Sequence, residues 1–231
     1  MTKSTLYTNN RKAEELGFKM FVLHVENNHF DKIAEDAIKK HEEEILKLKE
    51  INKENTIVDS EVFYDILFRE EELKALSEMK IIYSYKHFET SLKFLLNSSY
   101  KDLDKSKLYK WETISDILKI KKIDIRKLDC FNDIDELREV NNAIKHDAIL
   151  KSRKIPVEFK DKDHLSYKDI LTFYNRVEYA PVAFLKSLHD KIIIDRYQFD
   201  ENRLEELVSQ IEKSMEPKIA IEFANKILSK Y

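Results

Sequence analysis

The sequence predicts an all-α protein, and three observations carry that reading. The 231 residues include one glycine and three prolines, so few positions suit tight turns. Charged residues make up 37% of the chain and are mostly Lys and Glu, both good helix formers. Apolar residues recur at three- and four-residue intervals through most of its length. With 42% hydrophobic residues, a real core is within reach.

From residue 10 to residue 52 the pattern reads as one long helix or two in line, with a break at Asn27-Asn28-His29-Phe30. The first half has a broad apolar face around Leu16, Met20 and Leu23. Gly17 lies inside it, where close approach of another helix would offset its cost. In the second half Ala34, Ile38, His41, Ile45 and Leu48 alternate four and three apart, a narrow coiled-coil-like seam with charged flanks. That seam predicts an exposed hairpin or an arm that binds a protein partner. Residues 1–55 are therefore expected to form a long helix or helical arm, and residues 56–231 a helical bundle with a C-terminal helical extension.

Ser60 to Tyr100 reads as a shorter apolar helix around Val62, Phe63, Ile66 and Leu67, running into a long one through Ile82, Tyr85, Phe88, Leu92 and Leu96. Glu89 falls on the inward row of the long helix, where a carboxylate needs a partner. It can orient polar groups of a neighbouring helix, or pair with Lys93 four residues on. Trp111, Ile114, Ile117 and Leu118 mark a short helix with Trp111 as a packing anchor. After the motif region, Ser166 to Ile194 is a helix bent or restarted near Pro181, and 200–231 holds further helices with a restart at Pro217.

The chain is organised around Asp133 to Leu150. Ile134, Leu137, Ile144 and Ala148 form an apolar stripe with Asn141 in its middle. Asp133 and Glu136 have the spacing of an N-terminal capping box. Beside the stripe, Arg138, Asn142 and His146 stand four apart, so each is rotated only about 40° from the last. Lys145 flanks this row. Adjacent asparagines are poor interior helix formers, so something offsets Asn141-Asn142. Buried interhelical hydrogen bonds would do so, and so would a functional site.

At these residues the segment, with the helix order from Met79 to Leu150, resembles the HEPN domain family. The family's helical bundles carry an Arg and a His about four to six residues apart, often with an Asn, His or Asp after the Arg. Asn142 then matches the polar residue and His146 the His, while Asn141 stands at the Arg position. The nearest Arg is Arg138, a full turn earlier. Phe88 to Lys93 resembles the family's second helix, whose acidic residue, here Glu89, faces the motif. The resemblance implies metal-independent RNA cleavage by 2′-hydroxyl attack, with His146 exchanging the proton and Arg138 or Lys145 supplying the cation. It also implies a toxin or phage-defence role.

Over Leu137 to Lys154 the basic residues Arg138, Lys145, Lys151, Arg153 and Lys154 outnumber the acidic ones, a local patch able to hold an RNA backbone. The net charge of −3 and pI near 6.2 supply no global attraction to nucleic acid. A single cysteine, Cys130, excludes an internal disulfide and a cysteine-based zinc cluster, and fits a reducing cytoplasm. No apolar run approaches the roughly 18 residues of a membrane span. Glycine scarcity excludes P-loop and G-x-S-x-G chemistry, no H-E-x-x-H is present, and no metal or cofactor is expected. Two functions stand: a HEPN-type ribonuclease, or a non-catalytic HEPN-like scaffold. Both are expected as homodimers with the motif helices near the two-fold axis.

Overall fold

The computed structural model describes residues 17–18, 29–54, 60–100, 103–104, 106, 108–146, 155–162, 164–197 and 200–230. Among them there is no strand, and the fold is all-α. The helices are α1 (His29–Glu54), α2 (Ser60–Ser99), α3 (Trp111–Ile120), α4 (Phe131–Lys145), α5 (Tyr167–Val177), α6 (Ala180–Tyr197), α7 (Glu201–Ser214) and α8 (Pro217–Leu228). Short 3-10 turns occupy Ile125–Lys127 and Val157–Phe159. The chain divides into two compact units, Val22–Leu188 and a smaller one of Met1–Phe21 with His189–Tyr231.

In the larger unit α1 and α2 form an antiparallel hairpin. Its rungs are ion pairs, Glu35 with Lys80 at 3.1 Å, Lys49 with Glu70 at 3.1 Å and Glu44 with Arg69, and His41 Nδ1 lies 3.4 Å from the Glu72 carboxylate. The apolar seam lies between the two helices. Ala34, Ile38 and Ile45 are buried, and Ile38 and Ile45 cluster with Leu73, Ile66, Leu76, Tyr167 and Leu171. Of the two expectations for the Ala34–Leu48 seam, a hairpin or a partner-binding arm, the structure has the hairpin, and the chain's own α2 and α5 cover the seam's central residues. The apolar stretch at Val62 to Leu67 is likewise no separate helix. Arg69 to Glu72 is charged but made of strong helix formers with no breaker, so α2 runs unbroken for 40 residues.

The buried row of α2 runs Leu73, Ser77, Lys80, Ile81, Ser84, Phe88, Ser91, Leu92 and Leu95. Its serines are small enough for neighbours to approach closely, and both α4 and α5 pack along this helix. Farther along, Phe88 meets Phe184 edge-on at 5.5 Å between centroids, and Trp111 lies 6.3 Å from Phe184. Trp111 is thus part of an aromatic cluster.

The motif helix starts earlier than its sequence suggests. Asp124 caps the first 3-10 turn by accepting the Arg126 N–H at 3.1 Å, and the chain enters α4 through Cys130 at φ 56°, a left-handed conformation. Cys130 is the N-cap and caps with no side-chain bond. Asp133 and Glu136 therefore form no capping box. Arg176 of α5 takes both, donating to Asp133 at 2.8 Å and Glu136 at 2.6 Å, and also to Glu158 at 2.7 Å. One guanidinium so pins the start of α4 to α5 and to the second 3-10 turn.

The hydrogen bond from Arg176 holds the Glu158 carboxyl below its ordinary 4.5, against the opposing effect of burial. A depressed folded-state pKa contributes stability above the unfolded value, and this is lost as pH falls through the folded one. Acidification below about pH 4.5 is expected to lower the melting temperature of the wild type more steeply than that of Arg176→Met. The variant should be less stable at neutral pH by about 1–2 kcal/mol. Parallel acid limbs in the two proteins would contradict this role.

In the smaller unit the ring of Phe18 stacks on His189 at 3.6 Å. Asp200 caps α7 by accepting the Arg203 N–H at 2.8 Å, and Pro217 opens α8 in the first-turn position that tolerates it. Among the described residues a Cβ on Gly17 would meet nothing within 4 Å, so none of them is the close neighbour that would explain that glycine. Leu16, Met20 and Leu23 lie outside the described residues.

Candidate functional site

The α4 stripe that faces the bundle is Ile134, Leu137, Val140 and Asn141. Asn141 is fully buried; its Nδ2 donates to Asn142 Oδ1 at 3.3 Å, and among the described residues its Oδ1 has no hydrogen-bond partner. A side chain in that position cannot reach RNA, so Asn141 does not stand in for a catalytic Arg. A buried acceptor without a partner costs about 1–3 kcal/mol. Asn141→Leu, of similar size, is therefore expected to raise stability by about 1 kcal/mol. A lower melting temperature would reveal a partner for Oδ1.

Asn142, Lys145 and His146 are exposed together over the last turn of α4. His146 closes the helix as its C-cap, its N–H donating to the Asn142 carbonyl at 3.1 Å. This single bond fixes the spacing of the two side chains along the helix end. Lys151, Arg153 and Lys154, expected to bind RNA, lie outside the described residues, as do Ala148 and Leu150.

Arg138 is directed elsewhere. It is half-buried, donates to Asp135 at 3.0 Å and to the adjacent Glu139, and its Nε is buried with no hydrogen-bond partner. Burial alone would lower its pKa, but the Asp135 hydrogen bond and the charges of Glu139 and Asp135 raise it. An Arg side chain leans toward the helix N-terminus, and eight residues at 1.5 Å rise put Arg138 and His146 about 12 Å apart. One chain does not bring them together.

Glu89 pairs with Lys93 at 2.9 Å on its own helix. It still adds to the electrostatics of the α2–α4 contact. Burial first, then the charge of Glu89, push the Tyr85 phenol up to about 12, while Arg138 acts in the opposite sense. For Cys130, desolvation followed by Asp133 and Asp129 raises the thiol pKa, which disfavours a thiolate nucleophile. Among the described residues no three His, Cys, Asp or Glu side chains are grouped to hold a metal, and no helix is long and apolar enough to cross a membrane.

A second polar cluster was not singled out from the sequence. Lys80 is 2% exposed, with its ammonium 3.1 Å from Glu35, 3.8 Å from Asp31 and 4.5 Å from the Tyr174 ring centroid. The Tyr174 hydroxyl donates to Asp31 at 2.6 Å, and desolvation, then that bond, raise its pKa far above the usual phenol value. Asp31, Glu35 and Tyr174 border a cavity of about 580 Å³ that contains no α4 residue. The signal in the sequence was the spacing of Lys80 with Leu73, Ser77 and Ser84, which places a charge on an inward row.

No family model, curated protein or solved structure matches this chain.

Proposed function

We propose that this chain is a metal-independent endoribonuclease of the HEPN type whose site is completed between two copies. The observation that most supports the reading is the joint exposure of Asn142, Lys145 and His146 at the end of α4. His146 would take the 2′-hydroxyl proton as that oxygen attacks the adjacent phosphorus, and the proton would then pass to the departing 5′-oxygen. The products are a 2′,3′-cyclic phosphate and a 5′-hydroxyl. Lys145, and Arg138 of the second copy, would offset the charge building on the phosphorane. Antiparallel α4 helices about a two-fold axis would bring Arg138 of each chain toward His146 of the other. Purified protein incubated with RNA in EDTA tests this, and the end groups of any fragments identify the chemistry. A toxin or phage-defence role would follow from such cleavage.

A second reading is favoured by the pairing of Arg138 with Asp135 and Glu139. With its cation already neutralised, α4 would serve a non-catalytic helical dimer acting as a scaffold. Intact RNA under all conditions selects that reading.

A further inference from the structure

Helices α7 and α8 contain 14 and 12 residues, and none of them is buried. Isolated helices of this length are marginal in water, so their apolar surface must be covered to hold them. Leu204, Leu207 and Val208 share one face of α7 and are 45%, 38% and 65% exposed. Helix α8 has two apolar rows. Ile219, Phe223 and Ile227 repeat every four residues, while Ile221 and Leu228 lie on the opposite side, 63% and 70% exposed. A single neighbouring α7 covers at most one of these rows. The α7 face and one α8 row together expose roughly 500 Å² of these residues, enough for the smaller class of protein interface.

The charges select the occupant. Helix α7 carries four Glu against Arg203 and Lys213, whereas α8 and the residues just after it carry three Lys against Glu222. An acidic helix followed at once by a basic one is self-complementary between two copies. In a two-fold pair each α7 can lie on the partner's α8, so both new contacts join opposite charges. The exposed α4 residues Asn142, Lys145 and His146 are polar and supply no comparable adhesion.

We infer that the apolar faces of α7 and α8 dock the same two helices of a second copy, forming a dimer. The ribonuclease reading needs a second copy, but this inference does not need the chain to be a nuclease. It is tested by mass on the full chain. The wild type should be a dimer by light scattering at micromolar concentration, and Val208→Asp should weaken association at least tenfold while circular dichroism stays helical. Two charge-reversed chains, one carrying Glu205→Lys with Glu212→Lys and the other Lys218→Glu with Lys226→Glu, should each be largely monomeric. Mixed, they should form a heterodimer, since both pairings become complementary again. A monomeric wild type, variants as dimeric as the wild type, or a mixture that stays monomeric would overturn the inference. A wild-type dimer without RNA cleavage would leave it standing and remove the ribonuclease reading alone.

Discussion

Replacing His146 by alanine is expected to lower EDTA-resistant RNA cleavage by about 10²–10⁴-fold, the usual contribution of a positioned general acid–base group. Thermal stability should change by less than about 0.5 kcal/mol, because the side chain is exposed at the C-cap and the bond to Asn142 is made by the backbone N–H, which alanine keeps. The separation of the two readouts gives the variant its meaning. Lost activity with unchanged melting assigns chemistry to the imidazole, and full activity in the variant removes the enzymatic reading. Arg138→Ala is a less clean probe. Its guanidinium is half-buried between Asp135 and Glu139, so the substitution also leaves two carboxylates without their cation.

The second large effect concerns stability. Lys80→Met is expected to destabilise the larger unit by about 2–3 kcal/mol, toward the low end of what breaking a buried ion pair costs. Glu35 is 61% exposed and can turn to water, and Asp31 keeps the Tyr174 hydroxyl; these moderate the loss. Methionine keeps most of the lysine stem, so the packing against Tyr174 changes little and the effect reports the missing charge. Adding Asp31→Asn should recover part of the loss, since a neutral amide needs no counter-charge but still accepts from Tyr174. If Lys80→Met melts with the wild type, the cluster does not hold α1, α2 and α5 together.

The helical class was legible because glycine and proline are nearly absent and the apolar period is consistent, and the breaks near Pro181 and Pro217 fell where the sequence marks them. One local feature was misread because a tertiary partner replaced a local one, and two others needed the tertiary structure to be read at all. Asp133 and Glu136 have the spacing of a cap, but Arg176, 40 residues or more away in sequence, takes both carboxylates. The Ala34–Leu48 pattern reads as a hairpin or a partner-binding arm, and a one-dimensional pattern cannot say that α2 of the same chain is what covers it. Lys80 is a strongly hydrated residue that is rarely buried, and only the proximity of Asp31, Glu35 and Tyr174 makes its position tolerable. Within the site, the sequence placed Asn141 on the apolar stripe and His146 off it, as found. It could not show that Arg138 turns toward Asp135, because that choice depends on side-chain direction and not on spacing.

The central claim is that the site is shared between copies, and mixing two inactive variants tests it most directly. Arg138→Ala homodimers lack the cation contributed across the interface in both sites, and His146→Ala homodimers lack the acid–base group in both. In an exchanged equimolar mixture half of the dimers are hetero, each with one complete site, so EDTA-resistant cleavage should recover to about a quarter of the wild-type rate. A mixture no more active than its components, while the wild type cleaves RNA, would contradict a shared site and place the chemistry within one chain.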